Sequence, residues 1–268
     1  MVEERLPLPF PIPPGVFAET VTEVKHYTSR LFQFRMTRPR SFRFRSGEFV
    51  MIGLPNAEKP IYRAYSISSP AWDDELEFFS IKVPGGPLTE HLQKIVPGDT
   101  ILMRKKPTGT LILDALLAGS RLFMLSTGTG IAPFASLMRD PETYEKFREV
   151  VVTHTCRERA ELAYGYETVA KTLDDPLVGD EAREKLIHFP TTTREPSQTV
   201  GRITDKIDDL SLFRSIGGSP FNPEHDRVMI CGSMAMLQEL KSKLEGMGFT
   251  EGSNSSPGQF VIERAFVD

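Results

Sequence analysis

Gly128-Thr129-Gly130-Ile131-Ala132-Pro133 sits between an apolar run and a helical pattern. Glycines at such a junction let the backbone close on a phosphate, the helix start offers free N–H groups, and Pro133 suits its first turn. The string departs from Gly-x-Gly-x-x-Gly and no acidic residue closes the next strand, so a plain structural turn is the other reading. Upstream, Arg63-Ala64-Tyr65-Ser66 has strand character. Arg63 can grip a pyrophosphate with both arms of its guanidinium, and Tyr65, two residues on and therefore on the same face, can lay its ring against a flavin. Ser66 faces the other way, although at a strand end its hydroxyl could still reach a polar edge. The bland alternative is an ordinary strand with one aromatic core residue. The turn Lys82-Val83-Pro84-Gly85-Gly86-Pro87-Leu88-Thr89 leads into a helix whose first N–H groups can take a second phosphate. Thr89 is equally suited to cap that helix.

Arg194, after Thr191-Thr192-Thr193, and Arg202, after Gly201, suit a nucleotide 2′-phosphate, where NAD-specific sites more often present an acid. Two solvated loop arginines are the alternative. Cys231 ends an apolar run, the usual place of a small core residue, and is followed by Gly232-Ser233. Cys156 reads as core, and the five histidines show no metal spacing.

Two kinds of element must position these strings. Short β-type runs at 16–27, 30–38, 48–54, 61–68, 75–83 and 99–104, punctuated by Gly, Pro and Asn, predict a six-stranded antiparallel barrel with one helix near 88–95. After about residue 115 apolar strands (122–125, 150–152, 186–189, 228–231, 260–262) alternate with helices (from 132, 160–173, 204–216, 234–247). That alternation predicts a doubly wound α/β parallel sheet. The expected domains are therefore 1–115 and 116–268, with ligands in the cleft between them. The proline-rich N-terminus predicts an extended lead-in.

Two cysteines are too few for an iron–sulfur cluster or a disulfide scaffold. The start of the chain lacks a signal-peptide pattern and no apolar run approaches a membrane span, so a soluble, cytoplasmic protein is expected. A net charge of −4 gives no case for nucleic-acid binding. Residues 1–115 hold 15 Lys/Arg against 13 Asp/Glu and the rest 17 against 23, so the first half is the better candidate to meet an acidic partner. Within it, Arg38, Arg40, Arg43 and Arg45 cluster with Phe42 and Phe44, either as such a docking face or as a solvated strand edge.

The order R-x-Y-S, G-G-P-L-T, G-T-G-I-A-P, C-G-S and a terminal Glu263-Arg264-Ala265-Phe266-Val267-Asp268 resembles the bacterial ferredoxin/flavodoxin–NADP reductases over essentially the whole chain. The resemblance implies a non-covalent FAD and NADP(H), with hydride passing between nicotinamide C4 and flavin N5 and electrons going to ferredoxin or flavodoxin from a monomer. It places Arg63, Ala64, Tyr65, Ser66, Ile81, Lys82, Val83, Gly86, Pro87, Leu88, Thr89 and Thr127 around FAD. Thr127, Gly128, Thr129, Gly130, Arg157, Arg194, Arg202, Cys231, Gly232 and Ser233 fall to NADP. Ser66, Cys231 and Glu263 take catalytic roles, and Ala265, Phe266, Val267 and Asp268 close the flavin site. Ala265 stands where plant-type relatives carry an aromatic cover, so one flavin face is expected to be less tightly guarded. Two other readings fit the same architecture: the reductase component of an oxygenase, and a flavin-binding regulatory subunit without turnover.

Overall fold

The computed structural model describes residues 11–55 and 60–264. Strands β1 (Val16–His26), β2 (Leu31–Thr37), β3 (Phe49–Gly53), β4 (Arg63–Ser66), β5 (Glu75–Ile81) and β6 (Thr100–Arg104) form one antiparallel sheet in the order β4-β3-β6-β1-β2-β5. The two outer strands approach each other, where the Ser68 N–H donates to the Glu77 carbonyl at 2.8 Å and the Tyr65 and Ser80 hydroxyls bond at 3.2 Å. The sheet is thus a nearly closed six-stranded barrel. Its interior is the alternate-residue set expected of strands: Phe32, Phe34 and Met36 of β2 meet Leu76 and Phe78 of β5 and Ile101 and Met103 of β6. The short helix α1 (Thr89–Leu92) seals one end with Leu88 and Leu92.

The second half is a parallel sheet of β7 (Arg121–Thr127), β8 (Glu149–Cys156), β9 (Leu186–Thr192), β10 (Asp226–Gly232) and β11 (Phe260–Arg264), ordered β11-β10-β7-β8-β9. Its strands alternate between two cores. Leu122 and Met124 face helices α2 (Ala132–Met138), α3 (Pro141–Lys146), α4 (Ala163–Leu173) and α5 (Gly179–Lys185). Phe123 and Leu125 face α6 (Ile203–Asp208), α7 (Ser211–Ser215) and α8 (Met234–Gly246). Burial on both faces explains the uninterrupted apolar strands. At one end of the sheet Arg121 forks onto the fully buried Asp226, with both N–H···O distances 2.7 Å.

The single helix expected over 204–216 is two helices, because Leu210 takes a left-handed φ of 60° and breaks the run. Helix α3 was not legible as an element, although Asp140 caps it and Pro141 opens it. The barrel's outer face is not free. Leu31 and Phe79 join the core of the parallel half, which is why β5 is buried along almost its whole length.

Strand order reverses between β7 and β10, and ligands of such sheets bind beyond the strand ends at that switch point. The two strand ends are tied there by the Ser233 N–H, which donates to Thr127 Oγ1 at 2.9 Å.

Candidate active site

At this switch point, facing the barrel, lies a cleft of about 690 Å³. Arg63, Ala64, Tyr65 and Ser66 of β4 line it, as do Phe79, Ser80 and Ile81 of β5 and the turn Val83, Gly86, Pro87, Leu88 and Thr89. Glu263 of β11 and Thr129 come from the other half. The Arg63 Nη1 donates to the neighbouring Tyr62 carbonyl at 3.0 Å, and among the described residues no carboxylate pairs with this guanidinium. Tyr65 is fixed by its bond to Ser80, and burial raises its hydroxyl pKa. A flat aromatic wall beside a guanidinium without an acidic partner suits a flavin with its pyrophosphate. Lys82 is not in the lining; its ammonium lies 3.4 Å from the Thr28 carbonyl.

A second cavity of about 350 Å³ adjoins the first, and Ile81 and Thr129 line both. Thr127, Gly128, Arg157, Thr193, Arg202, Ser233 and Met236 contribute to it. Gly128 holds φ at 54°, a turn that a residue with a Cβ adopts only under strain. Gly130 is needed for a different reason: a Cβ there would run into the Cys231 carbonyl. Helix α2 starts at Ala132, where the sequence places it, and the glycines themselves form a 3₁₀ turn, Gly128–Ile131, that leads into it. A third opening is lined by Arg157, Thr193, Arg194, Gly201, Arg202 and Asp205. None of the three arginine side chains has a carboxylate within ion-pair distance among the described residues. The loop that carries them is pinned by the Thr193 N–H to the Cys156 carbonyl (3.0 Å) and the Arg194 N–H to the Arg157 carbonyl (2.9 Å). Three such guanidiniums beside a threonine suit a phosphate dianion, although Asp205 lines the same opening.

Cys231 is buried behind the glycine turn and lines neither cavity, as does Gly232; burial pushes its thiol pKa up. Cys156, expected as plain core, does line the second cavity, and its Sγ is 3.2 Å from His154 Nε2. Burial, then the nearby His188, lowers the His154 pKa to about 3, so its ring is neutral. Glu263 accepts the Thr110 N–H at 3.1 Å, and burial lifts its carboxyl pKa to about 7, against the pull of that bond and with the help of Glu48. The expected contributions of Ala265, Phe266, Val267 and Asp268 lie outside the described residues.

Sequence reasoning missed Thr108, Gly109, Thr110 and Asn254, which complete the first cavity. The tripeptide Thr108-Gly109-Thr110, small and polar just before an apolar run, was the available signal. Asn254 donates to the Gly109 carbonyl at 2.9 Å across 145 positions, for which no sequence signal exists.

Comparison with known proteins agrees with this geometry. Residues 19–112 match the model of an oxidoreductase FAD-binding domain and residues 124–242 that of an oxidoreductase NAD-binding domain. A flavodoxin/ferredoxin–NADP reductase of Rhodobacter capsulatus is 58% identical over 251 residues, 93% of each chain. The chain belongs to the ferredoxin/flavodoxin–NADP reductase family. A ferredoxin–NADP reductase of Pseudomonas aeruginosa is 48% identical over 95% of this chain and 99% of its own. The crystal structure of a reductase of this family from Neisseria gonorrhoeae, with bound FAD and NADP, superposes with a TM-score of 0.85 at 32% identity, covering 95% of this chain and 100% of the other. In this reductase family member no helix among the described residues is long and apolar enough to cross a membrane.

Proposed function

We propose that this chain is an FAD-dependent reductase that moves electrons between NADPH and a ferredoxin or flavodoxin. The carrying observation is that the two cavities meet at Ile81 and Thr129. FAD held between Arg63, Tyr65 and Phe79 would supply the redox chemistry there, accepting hydride from NADPH and passing its two electrons singly to the carrier.

The protein's part is binding and placement. Arg63 holds the FAD pyrophosphate, and Tyr65, Phe79 and Ile81 wall the ring. The backbone from Gly86 to Thr89 donates to the phosphates. Gly128 to Gly130 take the NADP pyrophosphate, and Arg157, Arg194 and Arg202 take the 2′-phosphate. Apolar walls at the junction exclude water. Glu263, with a pKa near neutrality, can hold or give a proton beside the flavin edge. Ser66 lines that edge as a hydrogen-bond partner.

The basic cluster is a less free docking face than its composition implies. Phe42 and Phe44 are core, and Arg38 donates to the Phe42, Ala71 and Asp73 carbonyls. Arg45 pairs with Asp114 at 2.9 Å. Arg40 and Arg43 remain exposed to steer an acidic carrier. A cytoplasmic monomer with a boundary near residue 115 completes the reading; the loop between Ala115 and β7 supports that boundary.

Stopped-flow mixing of the FAD-loaded protein with NADPH, then with a ferredoxin or a flavodoxin, tests it. Flavin reduction followed by carrier reduction is expected. A protein that binds flavin and is not reduced by NADPH refutes the enzyme reading. Reduction that reaches an oxygenase but neither carrier favours the oxygenase-component alternative.

A further inference from the structure

We propose that the first turn of α4, through Tyr164 and Gly165, is a strut that sets the spacing and tilt of the two cofactor cavities, which makes Tyr164 a positioning residue for hydride transfer. This rests on the function proposed above.

Tyr164 belongs to the parallel half, yet its ring is fully buried against the barrel. It stacks face to face on Phe79 of β5, with centroids 3.9 Å apart and planes 8° apart. Tyr27 of the barrel closes on its edge at 5.8 Å and 87°. The Tyr164 hydroxyl donates to Glu77 Oε1 at 2.9 Å, a carboxylate itself buried. Sliding the ring would leave that buried oxygen with only the long 3.5 Å bond from the Ser68 hydroxyl, so the contact resists displacement. Phe79 is at the same time a wall of the first cavity, two residues from Ile81, which lines both.

The next residue reaches the other cavity. A Cβ at Gly165 would lie 2.5 Å from His154 Nδ1 and 3.1 Å from Ile131 Cδ1, so α4 lies directly on the imidazole. The opposite ring nitrogen, Nε2, donates to the Gly128 carbonyl at 3.0 Å, in the turn that lines the second cavity. Two consecutive residues therefore touch the flavin wall on one side and the nucleotide turn, through one imidazole, on the other. Other contacts also cross between the halves, among them Trp72 Nε1 to the Arg139 carbonyl at 2.9 Å, which lines neither cavity, and Thr110 to Glu263 at 3.1 Å, which lines only the first.

Hydride transfer needs reacting atoms within about 3–3.5 Å, and a misplacement of roughly 1 Å costs about a hundredfold. Both cofactors can thus stay bound while transfer fails. The test compares Tyr164→Leu, Gly165→Ala and Tyr164→Phe with the parent, all loaded with FAD. Five quantities are measured: the transfer rate at saturating NADPH, the amplitude and the dissociation constant of the flavin absorbance change on adding NADP⁺, FAD bound per chain, and the rate at which reduced flavin passes electrons to ferricyanide.

Tyr164→Leu and Gly165→Ala are expected to slow transfer by about tenfold or more and to shrink the absorbance change. NADP⁺ affinity should stay within about threefold, with FAD content and ferricyanide reduction unchanged. Tyr164→Phe, which keeps the stack, is expected to restore most of the rate. Unchanged transfer in both disruptive variants overturns the proposal. So does a loss that merely follows loss of FAD, or a Phe variant as slow as the Leu variant. If Tyr164→Leu does not fold, Gly165→Ala and Tyr164→Trp decide the question. A parent that binds FAD but is not reduced by NADPH would strike the functional reading instead, and the NADP⁺-induced absorbance change would still test the strut.

Discussion

Replacing Glu263 by Gln should change how stability depends on pH, not merely how large it is. The Glu263 carboxyl has its pKa raised from 4.5 to about 7, chiefly by burial. Between those values the folded chain holds a proton that the unfolded chain has released. The protonated side chain therefore contributes stability fully present below pH 4.5 and lost as pH rises through about 7. At about 1.36 kcal/mol per pH unit, the gap corresponds to about 3 kcal/mol. Glu263 is half-buried at the rim of a cavity, and water reaching it there leaves about 2 kcal/mol. Gln keeps an amide oxygen to accept the Thr110 N–H and has no charge to desolvate. Thermal melting of the flavin-saturated parent and Glu263→Gln at pH 5, 7 and 8.5 measures the difference. At roughly 2 °C per kcal/mol, the variant should melt about 4 °C higher relative to the parent at pH 8.5 than at pH 5. Parallel pH profiles would show that Glu263 ionises freely in the fold and would refute the reasoning.

Arg202→Ala or Arg194→Ala should raise the KM for NADPH roughly ten- to hundredfold, as the loss of one charge-assisted hydrogen bond of about 1.5–3 kcal/mol requires, and leave that for NADH nearly unchanged; equal effects on both cofactors would remove the 2′-phosphate assignment. Asp226→Asn should cost about 3 kcal/mol or more of stability in denaturant titration, because Arg121, only 15% exposed, loses its charge partner; a loss under about 1 kcal/mol would mean the fork is replaceable. Gly130→Ala should weaken NADP⁺ binding measured by titration and leave FAD content intact, since the new methyl meets the Cys231 carbonyl and pushes the turn outward; unaltered affinity would place the nucleotide elsewhere.

The architecture was legible because each half writes its period plainly. Leu76 and Phe78 alternate with Glu77 and Phe79 on a strand of the barrel, and Leu122 to Leu125 run unbroken because helices cover both faces. The phosphate turn was legible for a similar reason: glycines at a strand end leave a mark of their own. Contacts across the chain left none. Tyr164 and Glu77 are 87 positions apart, and Tyr27 bonds Glu167 across 140. Nothing local in either residue specifies its partner. Phe79 reads as simple core although it is also a cavity wall. The arginines near residue 40 were visible as charge, but their commitment to backbone carbonyls depends on where the loop at Ala71 to Asp73 folds back. Leu210 shows the limit within a single element, since nothing in its type announces a left-handed backbone.

The closing strand has a consequence for biosynthesis. The β4 and β5 walls of the flavin cleft are translated early, yet Glu263 and Ile262, which dock on Thr110, are made long after them. A nascent chain can therefore build its barrel without owning a finished cofactor pocket. Tight capture of the prosthetic group waits until β11 has been made and has paired with β10.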